Sequence, residues 1–291
     1  MLIFKTIKEI NDFISLKKRG QKSIGLVPTM GALHRGHLSL IQKAKEQNDV
    51  VVCSIFVNPI QFNNPEDLKK YPRTPQADQE LLEKAGCNAI FSPDEKEMYP
   101  EPVTKVYEMG GLEKVMEGAF RPGHFNGVGV IVLKLFDIIL PNKAYFGEKD
   151  FQQLTIIKYL TKIYSYPVTI VPCPIVRENN GLAMSSRNAR LTAGEKSIAP
   201  LIYQTLVKAK GMYENNQEYY SADTVKKWVV ENIEQNSPMK VEYFELSDID
   251  TLQPVSNWTS DNGIIGCIAV YLGNVRLIDN IVFIHNFASC K

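Results

Sequence analysis

Two spacings of apolar residues divide this chain. Through about the first 175 positions, short continuous apolar runs alternate with stretches in which apolar residues recur every three or four positions. Residues 23–27 and 49–57 are apolar enough to be strands buried on both faces, as a parallel sheet requires. Residues 36–46, with Leu38, Leu40, Ile41 and Ala44, and residues 76–85, with Leu81, Leu82 and Ala85, have helical spacing. A short strand is predicted at 88–91. Residues 127–139 are apolar nearly throughout, and their length favours a buried helix over a strand. A strand at 144–146, a helix at 151–163 and a strand at 167–171 close the series. Repetition of strand, helix and strand predicts an α/β fold built on a doubly wound parallel sheet with right-handed crossovers.

The pattern changes after about Arg177. Residues 192–214 and 221–235 read as two helices, followed by extended runs at 240–246, 263–272 and 274–283. Leu272-Gly273-Asn274 has the composition of a hairpin turn. The expected organisation is therefore a sheet domain at 1–177 and a smaller α+β domain at 178–291, with Gly181 and its neighbours as the hinge. No internal repeat or low-complexity tract interrupts it.

Composition narrows the class. A length of 291 residues fits about two domains. Lys and Arg number 33 against 32 Asp and Glu, a formal charge of +1, which argues against a protein whose main task is to neutralise a nucleic-acid backbone. With 44% apolar and 22% charged residues the chain can bury a large core, and a disordered state is not expected. Lys5, Lys8 and Glu9 come too early for a signal-peptide apolar region, and residues 128–140 are too short to span a bilayer and contain Lys134 and Asp137. Cys53, Cys87, Cys173, Cys267 and Cys290 lie far apart with no CxxC pair, as expected of thiols in a reducing compartment. A cytoplasmic protein without nucleic-acid or membrane partners is the expectation.

Three stretches carry chemistry. Pro28-Thr29-Met30-Gly31-Ala32-Leu33-His34-Arg35-Gly36-His37 lies between a buried strand and an amphipathic helix, where open α/β sheets bind ligands and a helix N-terminus offers N–H groups to anions. Two histidines three residues apart can both donate to one phosphate; this is the HxGH pattern of adenylyl-transferring enzymes. Capping or packing is the plainer reading of the pair, and a zinc site is disfavoured because no cysteine is near. Gly181-Leu182-Ala183-Met184-Ser185-Ser186-Arg187-Asn188 sets hydroxyls and a guanidinium on a glycine-started loop, able to close over a triphosphate in the manner of a KMSKS-type loop. In Phe146-Gly147-Glu148-Lys149-Asp150 the lysine can reach phosphate and the aspartate can accept from ribose hydroxyls. Taken alone, these residues also suit a nucleotidyltransferase that makes a dinucleotide cofactor, a tRNA-binding synthetase-like module, or a nucleotide sensor without turnover.

The chain resembles the pantothenate synthetase (pantoate–β-alanine ligase) family of HIGH/KMSKS-type nucleotidylyl transferases. The resemblance rests on PTMGALHRGH at 28–37, SIFVNPIQF at 54–62, YPRT at 71–74, RPGHFNGV at 121–128, FGEKDFQQL at 146–154, GLAMSSRN at 181–188 and RLIDN at 276–280, in that order along almost the whole chain. It implies a Rossmann-like domain with a C-terminal lid, and ATP-dependent condensation of pantoate with β-alanine through a pantoyl adenylate. By motif position it implies that Met30, Gly31, Ala32, Leu33, His34, Arg35, Gly36 and His37 frame ATP. His34 and His37 would meet phosphate oxygens, with His37 as proton donor, and Lys149 would neutralise charge between the α-phosphate and pyrophosphate. Gly147, Glu148 and Asp150 would lie at the nucleotide, Val176 at adenine, and Met184, Ser185, Ser186 and Arg187 on the closing loop. Gln61 and Gln153 would bind pantoate; a neutral amide can serve its hydroxyls without the strong carboxylate pairing that blunts nucleophilicity. Asn58, Arg121 and His124 lie in matching blocks without an assigned catalytic role, and Tyr71 and Phe120 read as packing residues. The resemblance also implies Mg²⁺ accompanying ATP, with no protein ligand assigned and Asp78 only an outer-shell candidate, and a homodimer. Arg190 departs from the family, which usually has an aromatic residue there.

Overall fold

The computed structural model describes residues 1–215 and 220–285; Cys290 lies outside them. It divides into two units. The first comprises Met1–Gly110, Arg121–Glu148 and Gln153–Val176, and the second Gly111–Phe120, Lys149–Gln152 and the described chain from Arg177 onward.

The first unit begins with β1 (Leu2–Phe4), α1 (Ile7–Arg19), β2 (Ile24–Thr29), α2 (Arg35–Gln47) and β3 (Val50–Ile55). It continues through α3 (Pro65–Lys70), α4 (Pro75–Lys84), β4 (Ala89–Phe91) and α5 (Glu95–Met98). After α6 (Met116–Phe120), which falls in the second unit, come α7 (His124–Ile139), β5 (Lys143–Gly147), α8 (Phe151–Ile163) and β6 (Thr169–Cys173). The strands form one parallel sheet in the order β1-β4-β3-β2-β5-β6. The chain lays down β2, β3 and β4 in one direction and then returns to place β5 on the other side of β2. That reversal creates a topological switch point between β2 and β5, the place where open α/β sheets bind ligands at the carboxyl ends of their strands.

Burial follows the sequence pattern. Val51 and Cys53 of β3 are buried, and Leu40, Ile41 and Ala44 of α2 pack into the same core, while Val52 is buried too. The apolar run anticipated at 127–139 is a helix beginning at His124, with nearly every residue buried. Strand β1 and helix α1 were not anticipated. Strand β1 has only three residues and pairs only with β4. Helix α1 does carry a capping box in Thr6 and Glu9, and it buries Ile10 and Ile14 one turn apart. The strand expected at 167–171 runs two residues later, because Ser165 occupies a left-handed turn (φ +53) before pairing with β5 starts at Thr169.

In the second unit, α9 (Ala193–Ile198), α10 (Leu201–Asn215) and α11 (Ala222–Asn236) precede β7 (Lys240–Asp248), β8 (Gly263–Leu272) and β9 (Val275–His285). The single helix expected at 192–214 is two. Pro200 has no N–H to donate back into the preceding turn, so α9 stops at Ile198 and α10 starts after the proline. The three strands form an antiparallel sheet, and Gly273-Asn274 is the two-residue hairpin turn between β8 and β9. Ile202, Leu206, Val225, Val229 and Ile233 of α10 and α11 share a core with Ile264, Ile268 and Val270 of β8.

A buried ion-pair network lies in the same unit. Arg276 donates to both Glu117 carboxylate oxygens at 2.7 Å and also to Glu242, while Tyr243 donates its hydroxyl to Glu117 at 2.9 Å. Phe120 stacks on Tyr243 with ring centroids 5.5 Å apart. These contacts tie the segment containing α6 to the antiparallel sheet.

Candidate functional site

The carboxyl end of β2 leads into a turn that the backbone can form only under constraint. Gly31 has φ +78 and Ala32 φ +50, both in the left-handed region, and Ala32 pays a steric penalty that glycine would not. At Gly31 a Cβ would lie 2.9 Å from Asp78 Oδ2 and 3.1 Å from Ile55 Cγ2, so position 31 needs glycine for space as well as for φ. The turn ends at His34, whose extended backbone (φ −144, ψ 176) makes it the N-cap of α2.

The two histidines satisfy each other's backbone. His34 Nδ1 accepts from Gly36 N at 3.2 Å, and His37 Nδ1 accepts from His34 N at 3.3 Å. A neutral imidazole that accepts at Nδ1 carries its proton on Nε2. This geometry therefore assigns both rings the tautomer with an Nε2–H donor. The rings lie with centroids 4.1 Å apart at 39°. Capping and ligand donation are thus not competing readings of this pair, because each role uses a different nitrogen.

Beyond β3, Gln61 is buried and its amide is oriented by neighbours. Asn58 Nδ2 donates to Gln61 Oε1 at 3.0 Å and to Gly127 O at 3.0 Å, and Tyr99 donates its hydroxyl to Asn58 Oδ1 at 2.8 Å. Burial pushes the Tyr99 phenol well up, so it stays a donor. With its carbonyl engaged by Asn58, Gln61 turns its NH₂ group toward Met30, with Nε2 3.2 Å from Sδ. The backbone carbonyl of Gln61 accepts from His124 Nδ1 at 2.7 Å, and His124 Nε2 faces Arg121 Nη1 at 3.1 Å. Since arginine only donates, His124 is also neutral, protonated on Nδ1. Asn58 thus fixes the Gln61 amide, His124 holds its backbone carbonyl, and Tyr99 acts on it only through Asn58. Tyr71 packs edge-on against Phe62.

Gln153 is half-buried in the first turn of α8, and Val176 is half-buried three residues after β6. Gly147 ends β5, and a Cβ there would meet nothing within 4 Å, which leaves room beside the strand end. Glu148 follows it as the last residue of that stretch of the first unit.

The remaining anticipated residues belong to the second unit. Lys149 is mostly buried, with Nζ 3.9 Å from Asp150 Oδ1, and its backbone carbonyl accepts from Asn280 Nδ2 at 3.0 Å. Met184, Ser185, Ser186 and Arg187 are half-buried on a loop held by two anchors. Asn188 donates to Glu178 and to Ala183 O, both at 3.0 Å. Arg177 pairs with Asp279 at 2.6 Å, donates to Gly181 O, and lies over the Tyr203 ring at 3.6 Å. Ser185 caps the turn at Ser186–Arg190 by accepting from Arg187 N. Gly181, with φ +96, forms the turn inside this loop. Arg190, where the family usually has an aromatic residue, donates to Asn274 O at 3.4 Å.

Asp78, the outer-shell candidate, holds backbone. It is 1% exposed, and both of its carboxylate oxygens accept backbone N–H groups of the turn after β2. Its only sequence signal was an aspartate four residues beyond Thr74. Among the described residues no group of three or more His, Cys, Asp and Glu side chains is placed to hold a metal ion.

Comparison with known proteins places this arrangement. The profile of the Pantoate-beta-alanine ligase family matches residues 2–282. Pantothenate synthetase from Porphyromonas gingivalis (strain ATCC 33277) is 49% identical over 283 residues, covering 97% of this chain and 99% of that protein. The enzyme of the same name from Phocaeicola vulgatus is 51% identical over 284 residues, with the same coverages. The crystal structure of pantothenate synthetase from Thermus thermophilus superposes with a TM-score of 0.89 at 38% identity, over 97% of this chain and 99% of that one. A pantoate-beta-alanine ligase from Francisella tularensis, crystallised with beta-gamma ATP and beta-alanine, superposes with a TM-score of 0.79 at 37% identity over 97% of this chain and 98% of that one.

Proposed function

The chain belongs to the pantoate-beta-alanine ligase family, and on that premise we propose how its residues condense pantoate with β-alanine at the expense of ATP. A pantoate carboxylate oxygen attacks the α-phosphorus of ATP, a P–O bond forms, and the bond to the bridging oxygen of pyrophosphate breaks. The β-alanine amine then attacks the acyl carbon of the adenylate; the C–N bond forms, AMP leaves, and the ammonium proton passes to a base in the site or solvent. The adenylate is itself the activated acyl group, so no side-chain nucleophile is required, and the protein's work is positioning and charge stabilisation.

The observation that carries this reading is the histidine pair at the switch point. Both Nδ1 atoms hold backbone N–H groups, which assigns a proton to both Nε2 atoms and makes them donors suited to phosphate oxygens. In this reading His34 and His37 bind phosphate and Lys149 offsets charge on the departing pyrophosphate. Met30–His37, Gly147, Glu148, Asp150 and Val176 line the nucleotide, and Met184–Arg187 close on its phosphates. Gln61 offers its NH₂ group to pantoate, because Asn58 engages its carbonyl, and Gln153 serves the same substrate. Mg²⁺ would enter as part of the Mg-ATP substrate and would offset phosphate charge there, with no protein ligand assigned to it.

Residues 1–177 serve as the substrate-binding domain and residues 178–291 as the lid of a homodimer. Four described cysteines are free, buried thiols, in keeping with a cytoplasmic setting. No described helix is long and apolar enough to cross a membrane.

Isotope exchange tests the two-step course. With pantoate but no β-alanine, labelled pyrophosphate should enter ATP. Lys149→Ala should slow that exchange by about 10²–10³-fold, the cost of losing one charge-stabilising group. Folded protein that forms pantothenate without supporting exchange would rule out a released pyrophosphate and the adenylate with it. Full exchange in Lys149→Ala would remove the role given to the lysine.

A further inference from the structure

The geometry points to Asp78 as a positioning residue for adenylate formation, one that shapes the turn carrying His34 without touching substrate. The inference rests on the nucleotide-site reading above. Asp78 lies one turn into α4, with its carboxylate closed off from solvent. Oδ2 accepts from Ala32 N at 2.9 Å, while Oδ1 accepts from Leu33 N at 2.8 Å and from Thr74 Oγ1 at 3.1 Å. The turn it grips is the strained one, with Gly31 at φ +78 and Ala32 at φ +50, and a conformation of that kind persists only where its surroundings over-determine it. Asp78 supplies two charge-assisted bonds at that point, and such bonds are roughly twice as strong as neutral ones.

Two consequences follow. The N–H groups of Ala32 and Leu33, which a phosphate-binding turn would otherwise offer to its ligand, are turned onto α4 instead. Phosphate recognition by this segment then falls to the histidine rings and to the helix start beyond them. A carboxylate so near a polyphosphate site would also repel the ligand if its oxygens faced it. Here three donors engage those oxygens and direct the charge into the protein. Asp78 therefore acts by geometry. His34 follows Leu33 directly, so rotation of the 31–33 peptides moves His34 and with it His37, whose Nδ1 is bonded to His34 N.

The test uses the full chain and pantoate-dependent pyrophosphate exchange. In Asp78→Asn, an NH₂ group replaces one carboxylate oxygen and confronts a backbone N–H, so the turn loses one of its two holds. The KM for ATP should rise about tenfold and the exchange rate fall about 10–100-fold, as expected when reacting groups are misplaced by a fraction of an ångström to 1 Å. The KM for pantoate should stay within about twofold, because Gln61 is held independently through Asn58. A purely structural defect would lower the fraction of active enzyme and move neither KM.

Thr74→Val removes only the third bond, at an exposed residue, and should raise the KM for ATP about two- to fivefold, less than Asp78→Asn because both backbone N–H bonds remain. This variant keeps the inference testable if Asp78→Asn does not fold. His34→Ala, run in parallel, separates the two levels of the argument. If it loses exchange while a folded Asp78→Asn, or Thr74→Val in its place, keeps the wild-type KM for ATP, the role of Asp78 is overturned and the site reading stands. If His34→Ala keeps full exchange, the site reading falls and the inference falls with it.

Discussion

In the function proposed above, His34 holds the protein with one ring nitrogen and serves the ligand with the other, and two substitutions can separate those jobs. Its Nδ1 accepts from Gly36 N at 3.2 Å and so caps α2. Loss of a capping acceptor costs about 1 kcal/mol, which in a protein of this size lowers Tm by roughly 2–4 °C. Loss of a preorganised donor to a developing phosphate charge costs about 3–4 kcal/mol of transition-state stabilisation, a rate loss of about 10²–10³-fold. His34→Ala removes both and should show both losses. Asparagine places an amide oxygen near the position of Nδ1 and is among the best N-capping residues, but it has nothing near the position of Nε2. His34→Asn should therefore recover the Tm to within about 1 °C of wild type while pyrophosphate exchange stays as slow as in His34→Ala. Thermal unfolding and exchange measured on the same preparations decide the matter. Recovery of the exchange rate in His34→Asn would reduce the ring to a cap and refute the donor assignment. Failure to recover the Tm would refute the capping half.

Three further outcomes follow from other parts of the structure. In Gly127→Ala the new Cβ would lie 2.5 Å from Ile60 O and 2.7 Å from Gln61 N and Cα; the Gln61 segment must shift, at a cost of about 1–3 kcal/mol, and steady-state kinetics should show this mainly as a higher KM for pantoate. Arg276→Leu strands Glu117, whose side chain is 10% exposed, without its cation; urea unfolding should report a loss of about 3–5 kcal/mol, and a loss below about 1 kcal/mol would mean that the network contributes little. The Asp49 carboxyl is held down from 3.8 to about 2 by hydrogen bonds from the Ser23 backbone N–H and hydroxyl and from Lys22. Its folded value lies below the unfolded one, so its contribution is complete above 3.8 and is lost as pH falls toward 2. The difference in urea midpoint between wild type and Asp49→Asn should therefore shrink across that interval, and a difference that does not change with pH would count against the assignment.

Some of the site could be read directly along the chain, and some could not. The HxGH stretch stood out because its residues are consecutive and lie between two periodic segments, and its helix began within one residue of the expected position. Gln61 stood out only through its block, and nothing in the sequence indicated which end of its amide faces the site. That depends on Asn58, and Asn58 depends on Tyr99, 41 residues further along the chain. Asp78 was harder still, since a lone aspartate in a helix is ordinarily a solvated side chain. Only the packing of α4 beside the turn brings it against Ala32 and Leu33, 46 and 45 residues away in the chain. Strand β1 leaves no mark in the pattern, because three residues carry too little periodicity to register. The apolar spacing of the 192–214 segment continues across Pro200 and so predicts one helix, although a proline in that place ends a helix.

By itself the sequence determined the alternation of strand and helix from residue 23 to the end of the first sheet, the parallel character of that sheet, the class of ligand and the family. All of these rest on local spacing and on contiguous motifs, and such information survives in one dimension. Tertiary structure alone decided which strands are neighbours, and therefore that the switch point falls between β2 and β5. It also decided which nitrogen of each histidine is occupied, which end of the Gln61 amide Asn58 engages, and that Asp78 faces a strained turn. Those are directional contacts between residues distant along the chain. A hydrogen bond is specified by ångströms and angles, and the sequence records neither until the chain has folded.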